Sequence, residues 1–284
     1  MTSTCEYCGG EKSSHSQLCK FCYKTGAWQE SSPMKDTLRR VYEIAQIKPH
    51  YINALLDHSD EFEKAFTSKS FDLVNNYEIY ELLGDGIVNS FLSFYFFRRF
   101  PQLNCSSGVK VLARLKINYA SKRSFANISQ KLGFWPLIRA VDDEKTHSKE
   151  SLLEDVLEAF IGLTTKLLDE EFAVGVGYGI SYEILRSIFD DIDVSLEHED
   201  LYDAKTRLKE LVDVNPQLGT LKYEDDRENK ITRLYRIQGK TKIFISEGVA
   251  NHKSDREQIA SKQALAILNK EGYVKPTSMN LFCE

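Results

Sequence analysis

Two stretches of this chain put carboxylates among residues that belong in a core. One runs Glu78-Ile79-Tyr80-Glu81-Leu82-Leu83-Gly84-Asp85-Gly86-Ile87-Val88, the other Leu152-Leu153-Glu154-Asp155-Val156-Leu157-Glu158-Ala159-Phe160-Ile161-Gly162. On a helix Glu81 and Asp85 are i, i+4 neighbours with Glu78 one turn earlier, and Asp155 and Glu158 stand at i, i+3. Like charges so spaced repel, and an isolated buried carboxylate costs on the order of several kcal/mol unless it is paired or bound to metal. The spacing admits two arrangements. In one, both helices are amphipathic and turn their acids to solvent. In the other, the helices cross where Gly84 and Gly162 allow close approach, and four acids converge. Four hard oxygen ligands with room for water suit Mg²⁺ or Mn²⁺ far better than Zn²⁺.

The 284 residues suit one large domain or two or three small ones, and an aromatic content of 11% argues against a wholly disordered chain. Gly86–Phe97 is the longest apolar stretch; Asn89 and Ser90 interrupt it, and it falls short of the roughly 18–20 residues a membrane span needs. The N-terminus carries neither a secretory signal nor an Arg-rich transit peptide, so an intracellular chain is expected, in cytoplasm, nucleus or an organelle. The net charge of −5 hides an asymmetry: residues 203–273 hold 14 Lys+Arg against 11 Asp+Glu, or +3, and the rest 23 against 31, or −8.

Four of the six cysteines form the frame Cys5-x2-Cys8, ten residues, Cys19-x2-Cys22. Such a frame can set four thiolates at the corners of a tetrahedron, which predicts a structural Zn²⁺ module over residues 1–30. The segment has too few apolar residues to fold alone, so metal would supply the folding free energy. His15 could substitute for one ligand; the favoured reading sets it on the loop between the knuckles. Cys105 and Cys283 have no partner in the pattern and read as ordinary thiols.

Residues 23–35 read as a linker. Apolar residues at i, i+3, i+4 then predict helices over Asp36–Ile47, Tyr51–Leu56, Glu78–Arg99, Gly108–Leu132, Ser151–Leu168 and Tyr178–Phe189. Asp190–Asp203 is acidic and makes a hinge. Beyond it the period changes: a helix over Thr206–Val214, strands over Leu218–Glu224, Leu234–Gln238 and Lys240–Glu247, and a helix over Asp255–Glu271. That α-β-β-β-α order makes a compact two-layer module. Gly175-x-Gly177-x-Gly179 has no strand before it and lacks the phosphate-loop spacing, so it is read as a flexible lead-in to the following helix.

From about Asp36 to Tyr273 the chain resembles ribonuclease III. Tyr77-Glu78-Ile79-Tyr80-Glu81-Leu82-Leu83-Gly84-Asp85-Gly86 is similar to the family's Asn-Glu-Arg-Leu-Glu-Phe-Leu-Gly-Asp-Ser. Ala65-Phe66-Thr67-Ser68-Lys69-Ser70-Phe71 resembles Ala-Phe-Thr-His-Lys-Ser-Tyr, Arg98-Arg99-Phe100-Pro101 resembles the end of the signature helix, and Glu154–Gly162 resembles the second acidic block. The resemblance implies a mainly α endonuclease domain (36–192), an α-β-β-β-α double-stranded-RNA-binding domain (201–275) and, before them, the zinc module. It places Glu81, Asp85, Asp155 and Glu158 on the four Mg²⁺-binding catalytic carboxylates, with Glu78 supporting. Water activated by the metal would attack the phosphodiester in line, leaving 5′ phosphate and 3′ hydroxyl ends, with staggered cuts from a dimer. A homodimer is the default and a heterodimer with a related chain the variant. Tyr77, Ile79, Leu82 and Gly86 depart from the signature at positions that bear on RNA contact and the dimer seam. Toward double-stranded RNA the tail would offer Lys205, Arg207 and Lys209 from its first helix and His252, Lys253 and Arg256 from the start of its last. The alternatives are a non-catalytic double-stranded-RNA-binding protein and a subunit of a heterodimeric RNA-processing complex.

Overall fold

The computed structural model describes residues 32–274 and a short antiparallel pair, β1 (Ser3–Thr4) and β2 (Glu11–Lys12). Cys5, Cys8, Cys19 and Cys22, and with them the expected zinc module, lie outside the described residues. In chain order the helices are α1 (Pro33–Ile44), α2 (Pro49–Asp57), α3 (Ser59–Ala65), α4 (Glu78–Arg99), α5 (Val109–Tyr119), α6 (Lys122–Leu132), α7 (Asp142–His147), α8 (Lys149–Glu171), α9 (Val176–Phe189), α10 (His198–Leu201) and α11 (Ala204–Asp213). Strands β3 (Thr220–Asp226), β4 (Ile231–Gln238) and β5 (Thr241–Val249) and helix α12 (Lys253–Lys270) follow. Two compact units result: the described residues up to Leu92 with Tyr119–Ile192, and Ser93–Asn118 with the described residues from Asp193 on.

The first unit is organised around α8. A helix buried around most of its circumference must be central, and Leu152, Val156, Leu157, Phe160, Ile161, Leu163 and Leu168 are all fully buried. The Phe160 ring meets Tyr42, Phe62 and Phe134 at centroid distances of 5.7, 6.1 and 5.1 Å. Phe134 in turn packs edge-on against Phe66 at 5.0 Å, an arrangement that favours aromatic quadrupoles. Burial pushes the Tyr42 phenol well above its usual range, and its hydroxyl shares a 3.1 Å hydrogen bond with Thr164 Oγ1. The stretch Ala65–Phe71 is pinned by a parallel bridge between Thr67 and Arg139, with Ser68 N–H donating to Arg139 O at 2.7 Å and Arg139 N–H to Phe66 O at 2.8 Å.

The helix expected over Gly108–Leu132 is two helices. Ser121 takes an extended conformation, and its hydroxyl accepts the Ser124 N–H to cap α6, satisfying one of the donors a helix start leaves open. The glycine run proves to be a packing and capping device. Asp169 Oδ1 accepts from the N–H groups of Gly175 (3.0 Å) and Gly177 (2.7 Å), and a Cβ on Gly177 would lie 2.1 Å from the Thr165 carbonyl oxygen. Those amides are already occupied at the start of α9 and offer nothing to a phosphate.

In the second unit β3, β4 and β5 form an antiparallel sheet in that order, with α11 and α12 supplying the rest of the core. Leu208, Leu211 and Val212 of α11 meet Leu234 of β4 and Ala260, Ala264 and Leu268 of α12. A Cβ on Gly248 would lie 2.0 Å from the Arg256 carbonyl oxygen, so only glycine lets α12 approach β5 this closely. The α-β-β-β-α order is the one the change of period predicted. The acidic stretch Asp190–Asp203 contains the short helix α10, whose Leu201 is buried and whose Leu201 carbonyl accepts from Arg114 Nε (2.7 Å) and Asn118 Nδ2 (2.9 Å).

Cys105, expected as a free thiol, is disulfide-bonded; every other cysteine of the chain lies outside the described residues. No other cysteine stands near Cys105 in the sequence to mark it as paired. Among the described residues no helix is long and apolar enough to cross a membrane.

Candidate active site

The two acidic stretches fold as α4 and α8, and these helices touch backbone to backbone. A Cβ on Gly84 would lie 1.8 Å from the Glu158 carbonyl oxygen, and one on Gly162 would lie 2.0 Å from that of Tyr80. Only glycine leaves room for such an approach. Beside the crossing lies an open cleft of about 590 Å³ lined by Glu78, Glu81, Leu82, Asp85, Lys122, Glu154, Asp155 and Glu158. All four acids expected at the site, and the supporting Glu78, therefore share one cavity. Glu158 is the most enclosed of them, with 8% of its surface exposed, so the arrangement with every acid in solvent is not the one adopted.

Three residues hold acids of the cleft through hydrogen bonds or an ion pair. The Tyr77 hydroxyl donates to Asp155 Oδ2 at 2.8 Å, and the Asn89 amide donates to Asp85 Oδ1 at 2.6 Å. Lys122, from the first turn of α6, reaches Glu154 at 2.7 Å and Ser151 Oγ at 3.1 Å. Sequence reasoning placed Lys122 in the middle of a helix and gave it no role. The one signal present was Ser121 itself, a residue type that favours the N-cap position, which would have put Lys122 at a helix start.

Among the described residues no group of three or more His, Cys, Asp or Glu is drawn together as a ready metal cage. The acids line the wall of the cleft rather than converge on a point, and they repel one another. That repulsion is visible in their protonation. Burial, then Asp155, Glu78, Glu154 and Asp85, push Glu81 up to about 7. Burial, then Asp85, Glu154, Glu81 and Asp155, push Glu158 up to about 8. Asp155 is also raised by burial, with the Tyr77 hydrogen bond opposing. Glu81 and Glu158 hold protons in the folded state that the unfolded chain has released. Their contribution to stability is therefore full below about pH 4.5 and is lost as pH climbs through about 7 to 8. The melting temperature of the metal-free protein should fall between about pH 5 and pH 8.5, read by calorimetry. A flat profile would mean that the acids do not crowd one another.

The residues expected to face RNA in the second unit divide into two groups. Lys209, His252 and Lys253 are exposed, and His252 occupies the N-cap position of α12 without a side-chain hydrogen bond to it. Lys205 is half-exposed, paired with Glu257 at 2.6 Å and lying 4.9 Å over the Tyr223 ring. Arg207 is mostly buried and pairs with Glu199 at 3.2 Å. Arg256 requires correction. Its side chain is buried; Nε and Nη2 donate to Asp225 Oδ1 at 3.0 and 2.8 Å, and Nη1 donates to the carbonyls of Ala250 and Asn251, each at 3.0 Å. A guanidinium so engaged ties β3 to the α12 start and presents no charge to a phosphate.

Residues 78–165 match the ribonuclease III domain. The chain is 42% identical over 234 residues to the putative ribonuclease 3 of Frog virus 3 (isolate Goorha), covering 81% of this chain and 61% of that relative, so it spans about three fifths of the relative's length. To the putative ribonuclease 3 of Invertebrate iridescent virus 6 it is 41% identical over 224 residues, 73% of this chain and 77% of the relative. A solved nuclease domain of ribonuclease III from Campylobacter jejuni is 25% identical, with a TM-score of 0.42, over 54% of this chain and 97% of that one. The chain belongs to the ribonuclease III family of endoribonucleases.

Proposed function

We propose that this chain is a Mg²⁺-dependent endoribonuclease for double-stranded RNA, with Glu81, Asp85, Asp155 and Glu158 as its metal-holding catalytic carboxylates and Glu78 in support. One observation carries the reading: a glycine-to-backbone helix crossing beside a single cleft that holds all of these acids. The donor set fits the ion. It is made of hard carboxylate oxygens without sulfur, in a cleft open enough for waters to complete an octahedral shell, which favours Mg²⁺ or Mn²⁺ over softer metals.

Bound there, the ion would lower the pKa of a water and polarise the phosphodiester. The protein's own contribution is to orient. Tyr77 fixes Asp155, Asn89 fixes Asp85, and the crossing fixes one pair of acids against the other. The open cleft admits a backbone phosphate from outside, as a duplex substrate requires.

A duplex cut on both strands needs two such clefts. Ile79, Leu82 and Leu83 in the first turns of α4 are 57%, 69% and 42% exposed. Large apolar side chains this exposed beside a site favour a second chain, a copy of this one or a related domain, as their cover. The second unit is read as a double-stranded-RNA-binding domain using Lys205, Arg207, Lys209, His252 and Lys253, since A-form RNA is recognised through its backbone and 2′-hydroxyls. A structural Zn²⁺ on Cys5, Cys8, Cys19 and Cys22 rests on their spacing alone.

Purified protein incubated with a long labelled duplex should cut it only when Mg²⁺ is added. The products should carry 5′ phosphates, 3′ hydroxyls and staggered ends, and light scattering on the same sample should report two chains. Binding without cleavage in both Mg²⁺ and Mn²⁺ would overturn the enzymatic reading.

A further inference from the structure

Lys122 is the one cation among the described residues lining the acidic cleft, facing Glu78, Glu81, Asp85, Glu154, Asp155 and Glu158. Its ammonium has three donors. Glu154 Oε2 and Ser151 Oγ, both on α8, take two of them, at 2.7 and 3.1 Å. The side chain is nevertheless 51% exposed, whereas Glu154 is 18% exposed. The pair therefore has an inner, acidic end and an outer, basic end, and the outer end is where an incoming phosphate arrives. The anchoring is also asymmetric. Glu154 sits on the central helix α8, while Lys122 stands in the first turn of α6, directly after its Ser121 cap. A helix start offers positive potential of its own, so the ammonium and the α6 dipole favour the same sign of partner.

We propose that Lys122 is a substrate-binding residue of the cleavage site, donating its outward N–H to a backbone phosphate oxygen of the RNA while Glu154 and Ser151 hold the ammonium at the mouth of the cleft. The role has a physical need behind it. Six carboxylates repel a polyanion, and a fixed cation at the rim gives the strand a positive point to meet before it reaches them. Glu154 then serves as the anchor of that cation rather than as one more acid for the metal. This inference rests on the nuclease reading above, and its test can fail separately from it.

The test measures duplex binding rather than turnover, in full-length protein made inactive by Glu158→Gln, with a fluorescently labelled RNA duplex titrated at several salt concentrations. One lost phosphate contact makes the slope of log affinity against log salt shallower by about one. Adding Lys122→Gln should produce that change and weaken binding; adding Lys122→Arg, which keeps the charge, should leave the slope as it was. Adding Glu154→Gln removes an anion and frees the ammonium, so binding should be as tight or tighter, with no loss of slope. If the pair were only a structural brace, Lys122→Gln and Glu154→Gln would behave alike. Equal weakening by both, or an unchanged slope in Lys122→Gln, overturns the proposal. Should Lys122→Gln fail to fold, weaker binding by Glu154→Gln alone overturns it. Active wild-type protein with unchanged slopes would sink this inference and spare the nuclease; inactive wild-type protein with the expected slopes would do the reverse.

Discussion

Replacing Glu158 with Gln should reduce cleavage of duplex RNA by about 10³-fold or more and yet raise the melting temperature of the metal-free protein near pH 8. Both effects have one cause. Glu158 is the most enclosed acid of the cleft and faces Asp85, Glu154, Glu81 and Asp155, which together with burial push it up to about 8. The same crowding that would make it a demanding ligand in the proposed site makes it a liability to the fold. An amide keeps the shape but cannot carry the charge a hard cation needs, and losing a few kcal/mol of transition-state stabilisation amounts to about three powers of ten in rate. In stability the sign is opposite. Wild-type Glu158 must shed its proton as pH rises through about 8, at a growing cost to the folded state, whereas Gln does not titrate. The melting profile of the variant should be flatter with pH, the remaining slope coming from Glu81 and Asp155. Rates measured in Mg²⁺ and calorimetry at several pH values check both halves. Cleavage near the wild-type rate would remove Glu158 from the catalytic set, and a lower melting temperature at pH 8 would contradict the crowding.

The second large effect concerns the crossing itself. Gly84→Ala should destabilise the protein by at least about 3 kcal/mol, at the upper end of overpacking costs, and Gly162→Ala should do the same. Each added methyl meets a backbone carbonyl, at 1.8 Å from Glu158 O and 2.0 Å from Tyr80 O. Backbone cannot rotate aside as a side chain can, so the two helices must separate. Helix propensity works the other way, since alanine is better than glycine in a helix interior by about 1 kcal/mol, but the clash outweighs that gain. Gly86 supplies the control. It lies in the same helix, yet a Cβ there meets nothing within 4 Å, so Gly86→Ala should be neutral or stabilising by up to about 1 kcal/mol. Urea midpoints for the three variants would show the contrast. A wild-type midpoint for Gly84→Ala would mean the helices do not meet as described.

These two predictions show where sequence reading succeeds and where it stops. Helix α4 was legible to its end residues, Glu78 and Arg99, because its apolar period runs over many turns. The small residues Gly84 and Gly162 beside the acids hinted at a close crossing. The break between α5 and α6 was missed because the apolar period continues across Ala120 and Ser121, and only a cap distinguishes two helices from one. Short α3 and α7 were missed because a helix of six or seven residues has too few turns to show a period.

The candidate site divides in the same way. Spacing along one helix fixed that Glu81 and Asp85 share a face, as do Asp155 and Glu158, since a 3.6-residue turn leaves no freedom in the matter. Arg256 could not be read as buried, because its partners Asp225, Ala250 and Asn251 are recruited by the sheet. Lys122 could not be read as the cation of the cleft, since nothing in the chain joins it to Glu154 thirty-two positions on. By itself the sequence determined the elements, the acid pairs and the glycines, all properties of neighbours along the chain. Only the tertiary structure decided that the two pairs share one cleft, which acid is most deeply enclosed and which basic residues still face outward. Those outcomes depend on packing between segments distant in sequence, which brings backbone against backbone and sets how far each charge is taken from water.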